Sequence, residues 1–428
     1  MRHLIGLTLG LFLSLTVCPP VAIAQPGKDD RVIAQAVALP KVRAAFAAID
    51  ADAPRGLREM VELTEIPAPP FGEEKRAARF AEMLRDSGLS DVSIDKEGNV
   101  IARRPGRGGG PTVALIAHLD TVFPIETDVT VKVSGNTYSA PGIGDNSRGL
   151  VYVLSLARAM QSARLETLGD VLFVGSVGEE GLGDLRGVRH LFRQGGPKID
   201  VALVVDGGDI TRVVNAGVGS LRYRLTVSGP GGHSYGAFGL ANPHHAMARI
   251  LAHFDAAAEP LTIGLPKATY NVGRMGGGTS VNTIPTESWA EIDLRSSDAA
   301  RLQALDAALS KAIATGLEEE NAQRRAEPGL TVEKKSVGQR PGGAMADDAP
   351  LALSARAAFK HFGVTPMFEP SSTDANVPLS LGIPALTLSR GGISGRAHAP
   401  DEFWQNVDAE RAVKIGLLIT VVQAGIAR

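Results

Sequence analysis

The stretch Thr112-Val113-Ala114-Leu115-Ile116-Ala117-His118-Leu119-Asp120 is an unbroken apolar run that ends abruptly in an imidazole and a carboxylate. A continuous run of this length, without polar alternation, reads as a strand buried on both faces. Two later segments repeat the design. Val171 to Val177 leads into Gly178-Glu179-Glu180, and Val201 to Val205 leads into Asp206-Gly207. Helical periodicity over Ser147 to Gln161 and Leu185 to Gln194 separates the strands, which predicts an α/β domain with a largely parallel sheet and helices on both faces. In such sheets ligands gather beyond the carboxyl ends of the strands, where His118, Glu179, Glu180 and Asp206 fall.

Upstream, helices are expected around Lys41 to Ile49, after Pro54 and over Gly72 to Ser87, followed by strands near Val92 to Ile94 and Asn99 to Arg103. Around Gly217 the pattern changes. Ser220 to Ser228 alternates polar with apolar, and runs ordered β-α-β-β-α-β follow, which predicts an inserted ferredoxin-like α+β domain over 217–337. The first domain then resumes, giving a unit of 25–216 and 338–428 that closes with a helix at Asp408 to Ile426.

With 428 residues, two domains are expected, and 44% hydrophobic and 21% charged residues are ordinary for a globular protein. A net charge of −2 and the lack of a basic run argue against a nucleic-acid partner. Arg2 and His3 precede the apolar run Leu4 to Val17, and Ala22-Ile23-Ala24 supplies a small-x-small site, so 1–24 reads as a cleaved signal peptide. A periplasmic or secreted protein, free of the membrane, is the resulting expectation. Cleavage would remove Cys18, the only cysteine, leaving His, Asp and Glu as the available metal ligands.

The chemistry concentrates in five clusters. His118 and Asp120, two apart at a strand end, point the same way, so His118 is read as a ligand and Asp120 as its orienting carboxylate. Asp145 sits in the turn Gly144-Asp145-Asn146, as a helix cap or as a carboxylate bridging two cations. Glu179 and Glu180 face opposite sides, one to bind metal and the other to act on water. Asp206 offers a further ligand, with Asp209 a weaker substitute, and His398 in Ala397-His398-Ala399 supplies the last. Two imidazoles and several carboxylates are the donor set of a paired zinc centre.

In order and context these residues resemble the di-zinc peptidase family that includes aminoacylase, glutamate carboxypeptidase, bacterial tripeptidase and succinyl-diaminopimelate desuccinylase. The resemblance implies two Zn²⁺ per subunit, with cobalt or manganese as substitutes. His118 and Asp206 would bind one ion, Glu180 and His398 the other, and Asp145 would bridge them. It also implies Glu179 as general base to a water shared by the ions, and a lid domain that forms a homodimer. His233, in Gly231-Gly232-His233, resembles the lid histidine that stabilises the oxyanion. Asn282, Arg295 and, more loosely, Arg340 resemble groups that hold the substrate backbone or carboxylate. Ser147-Arg148 stand where many members carry a lysine, and His244 and His245 read as helix-face residues. The implied activity is hydrolysis of an amide bond in short peptides. The alternatives are an N-acyl amino acid deacylase and a zinc-dependent peptide-binding protein without catalysis.

Overall fold

The structure is a computed structural model that describes residues 27–427, so the expected signal peptide lies outside the described residues. The central sheet has nine strands. From one edge they run Asp91–Ile94, Val100–Arg104, Val171–Ser176, Val113–His118, Val201–Val205, Ala385–Leu388, Arg212–Gly217 and Gly343–Ala344, with Met367–Ser371 also paired to Arg212–Gly217. The strands at 171, 113, 201 and 385 are mutually parallel, whereas the 91, 100, 212 and 343 strands join by antiparallel pairing. The sheet is therefore mixed rather than largely parallel. Only the central four strands are buried at every position, as parallel, doubly covered strands are.

Alternate residues of the 113–118 strand feed two cores. Val113, Leu115 and Ala117 pack with the helices Pro40–Thr64, Gly149–Ser162 and Ala409–Ala424. Ala114 and Ile116 pack on the other side with Val188, Leu191 and Val377. The two helical segments expected around Lys41 and after Pro54 are one helix, with Pro54 inside it. A buried stripe of Val42, Ala45, Ile49, Met60 and Leu63 holds that helix across the missing proline N–H.

The additional domain has a separate four-stranded antiparallel sheet in the order Ala268–Gly277, Glu287–Ser296, Gly219–Ser228 and Thr331–Arg340. Burial alternates strictly along Glu287–Ser296, as a sheet covered on one face requires. Its inward residues Ile292 and Leu294 share a core with Ile250 and Phe254 of helix Pro243–Thr262 and with Leu305 and Leu309 of helix Ala299–Gln323. Among the described residues no single helix is long and apolar enough to cross a membrane.

Candidate metal centre

The ends of the central strands open into a cavity of about 620 Å³ lined by Asp145, Glu179, Glu180, Asp206, Arg390 and His398, among others. His118 ends its strand 1% exposed. Its Nδ1 lies 3.0 Å from the Asp120 carbonyl, which can only accept, so that nitrogen carries a hydrogen. Nε2 is thereby turned to Asp145 Oδ1, 3.1 Å away. A bare lone pair cannot rest there against a carboxylate oxygen. Either a proton or a metal cation must stand between them.

Asp145 occupies a non-helical kink within Ile143–Arg148, and its carboxylate divides its oxygens. Oδ1 faces His118, and Oδ2 lies 3.5 Å from His398 Nε2. His398 Nε2 is also 2.8 Å from Glu180 Oε1. The donor atoms of His118, Asp145 and Glu180 all lie within 4.8 Å of one another. Asp206, directly after Val201–Val205, lines the same cavity, with its Oδ1 3.7 Å from Arg390 Nη2. Burial opposes charge on His118, yet hydrogen bonds to Asp120 and Asp145 push its pKa well above the usual imidazole value. Hydrogen bonds to Asp145 and Glu180 raise His398 to about 10. Here imidazolium balances carboxylate, which is the balance a divalent cation on neutral imidazoles would restore. The all-nitrogen-and-oxygen donor set fits such an ion.

Glu179 and Glu180 follow Gly178, whose φ of +65° turns the chain sharply. The Asp120 carboxylate accepts from both of their amides, Glu179 at 3.0 Å and Glu180 at 2.8 Å. Asp120 thus orients His118 chiefly through its carbonyl, while its carboxylate, 3.7 Å from Nδ1, shapes the glutamate loop. The Glu180 side chain turns to His398. The Glu179 side chain turns away, to Arg340 Nη1 at 3.0 Å. Burial, only partly offset by Arg340, pushes the Glu179 carboxyl well above the usual range.

Two cavity groups escaped the sequence reading. Arg390 donates to Asp145 Oδ1 at 3.1 Å and to the Gly144 carbonyl. Glu402, 1% exposed, accepts from the amides of Gly142, Gly144 and Asp145 and so holds the Asp145 turn. Arg390 could have been found, because it closely follows the buried run Ala385 to Leu388, as the acids follow theirs. Nothing periodic marks Glu402.

The expected substrate groups divide. Arg295 lines the cavity with Nε on Asp293 Oδ2 at 2.6 Å, and Arg340 lines it but is engaged with Glu179. His233 and Asn282 lie exposed on the additional domain and do not line the cavity. The amides of Tyr235 and Gly236 donate to His233 Nδ1, both at 3.2 Å. Asp209 accepts from the Thr211 amide and hydroxyl, as a turn residue does.

The sequence model of Peptidase family M20/M25/M40 matches residues 114–420. A probable carboxypeptidase of Aspergillus oryzae is 29% identical over 209 residues, 44% of this chain and 49% of that protein. The match spans about half the length of that curated relative. Among solved structures, aminopeptidase PepT of Bacillus cereus superposes with a TM-score of 0.69 at 22% identity, over 86% of this chain and 97% of PepT. Bacillus subtilis YXEP, a dinuclear metal binding peptidase, gives 0.64 at 18% identity, over 87% and 98%. These likenesses overturn the periplasmic or secreted placement. PepT, the Staphylococcus aureus tripeptidase and yeast Dug1p, which share the fold, are cytoplasmic enzymes. An apolar run behind Arg2 records hydrophobicity and charge at one end of a chain, not a destination.

Proposed function

Because the chain belongs to Peptidase family M20/M25/M40, whose fold and ligand cluster are those of metal-dependent hydrolases, we propose that it hydrolyses an amide bond in short peptides. The observation that carries this reading is the Asp145 carboxylate, which offers one oxygen toward each of two imidazoles. His118 and Asp206 would hold one zinc ion, Glu180 and His398 a second, with Asp145 between them; cobalt or manganese suits the same donors. Such ions supply Lewis-acid polarisation of the scissile carbonyl and acidify a water.

The remaining roles belong to the chain. Glu179, in the cavity and free of both imidazoles, takes the proton from the water and returns it to the leaving amine. A raised carboxyl pKa suits that exchange near neutral pH. Arg340 steadies Glu179, and Arg295 offers its guanidinium to a substrate carboxylate. Residues 217–337 form a ferredoxin-like lid, whose exposed Tyr235, Phe238 and Val281 flank His233 and Asn282 and suit contact with a second copy. His233 would then serve the oxyanion across that contact.

Deacylation of N-acyl amino acids is the second reading, since its products expose the same carboxylate to Arg295. The test is turnover by zinc-loaded protein on a library of dipeptides, tripeptides and N-acyl amino acids, with Glu179→Gln as control. Absence of turnover on every member would leave only a peptide-binding role.

A further inference from the structure

A second cavity of about 270 Å³ adjoins the metal cavity and shares Arg295, Ser371 and Ser372 with it. The rest of its wall is Val218, Lys267, Thr269, Ser297 and Pro370. Two cations and four hydroxyls therefore face a space whose lining includes no carboxylate. That contrasts with the metal cavity, where acids from several loops answer the arginines.

The cations are open. Arg295 spends Nε on Asp293, and its two Nη groups have no partner among the described residues. Lys267 is exposed and makes no ion pair or side-chain hydrogen bond among the described residues. Thr269 lies directly opposite Arg295 in the antiparallel pairing, so the two side chains share a face, and Lys267, two residues earlier, continues it. One substrate carboxylate on Arg295 would still leave Lys267, Thr269 and Ser297 unanswered.

We propose that this annex is a subsite for a second substrate carboxylate, so that the preferred amides end in a residue with an acidic side chain. One carboxylate lies on Arg295, the other on Lys267 and the neighbouring hydroxyls. The proposal rests on the amide-hydrolase reading for turnover, but the subsite itself can be read by binding alone.

The test compares matched probes on zinc-loaded, full-length protein. Wild type should cleave Ala-Glu over Ala-Gln, and N-acetylglutamate over N-acetylglutamine, by about tenfold in kcat/KM, the scale of one charge-assisted contact. Lys267→Met should remove that preference by lowering only the acidic member, and Lys267→Glu should disfavour the acidic member outright. Calorimetric titration with glutamate and glutamine reads the same subsite without turnover, with glutamate tighter in wild type and equal to glutamine in Lys267→Met. Equal binding of the two by wild type, or an equal loss for both in Lys267→Met, overturns the subsite. Preferential glutamate binding without any turnover would instead defeat the hydrolase reading and leave the subsite standing.

Discussion

Arg340 grips Glu179 twice, with Nη1 on the side-chain Oε1 at 3.0 Å and Nη2 on the backbone carbonyl. The arginine is 6% exposed and also donates to Ser372 Oγ at 2.9 Å. This contact makes the guanidinium a holder of the proposed base rather than a free receptor for substrate. Arg340→Met should lower kcat for every substrate, neutral or acidic, instead of raising KM for acidic ones alone. Because Arg340 pulls the Glu179 pKa downward against burial, its loss should move the acid limb of the pH-rate profile to higher pH. An unmoved limb with a raised KM would return Arg340 to substrate binding.

Glu179→Gln should keep bound metal and lose about 10²–10⁴-fold in turnover, the usual contribution of a positioned acid-base group. Metal content by elemental analysis, measured beside kcat, checks both halves. Near-normal turnover would remove Glu179 from its role.

Asp120→Asn should weaken metal binding by about 10–100-fold, as loss of a supporting contact commonly does. An asparagine can offer one oxygen where Glu179 and Glu180 now present two amides, and its own NH₂ would confront the other. Competition with a chelator gives the affinity. Asp209→Asn is the control and should leave it unchanged, since among the described residues the Asp209 carboxylate holds only Thr211.

Metal binding should release protons at neutral pH. In the metal-free protein, hydrogen bonds to Asp145 and Glu180 keep His398 charged up to about pH 10, and a ligating imidazole must be neutral. Titration of chelator-treated protein with zinc at pH 7.5, in buffers of different ionisation enthalpy, counts the protons. His398→Ala should lower the count, and an unchanged count would show that His398 stays out of the metal's reach.

Much of this site was legible because its residues terminate buried strands, where a charged side chain has few structural uses. His118, Glu179, Glu180 and Asp206 follow apolar runs that need no alignment to recognise. Their number, however, hid a division of labour. Strand alternation alone gives the adjacent glutamates different work without saying which does what, and the contacts with His398 and Arg340 are what distinguish them physically. Strand direction was equally concealed, since antiparallel pairing of the 212 strand with the 385 strand depends on partners more than 150 positions apart. The long helix through Pro54 shows tertiary burial overriding a local break.

The strand Ala385–Leu388 wedges between Val201–Val205 and Arg212–Gly217, and the segment after it delivers Arg390, His398 and Glu402. Without this strand and the segment after it, the sheet would have a gap in its middle and the cavity would lack His398, one of the five candidate ligands, together with the two groups that hold Asp145. The stretch that closes the sheet is thus the stretch that finishes the cavity, so the cavity walls cannot be complete before the sheet is.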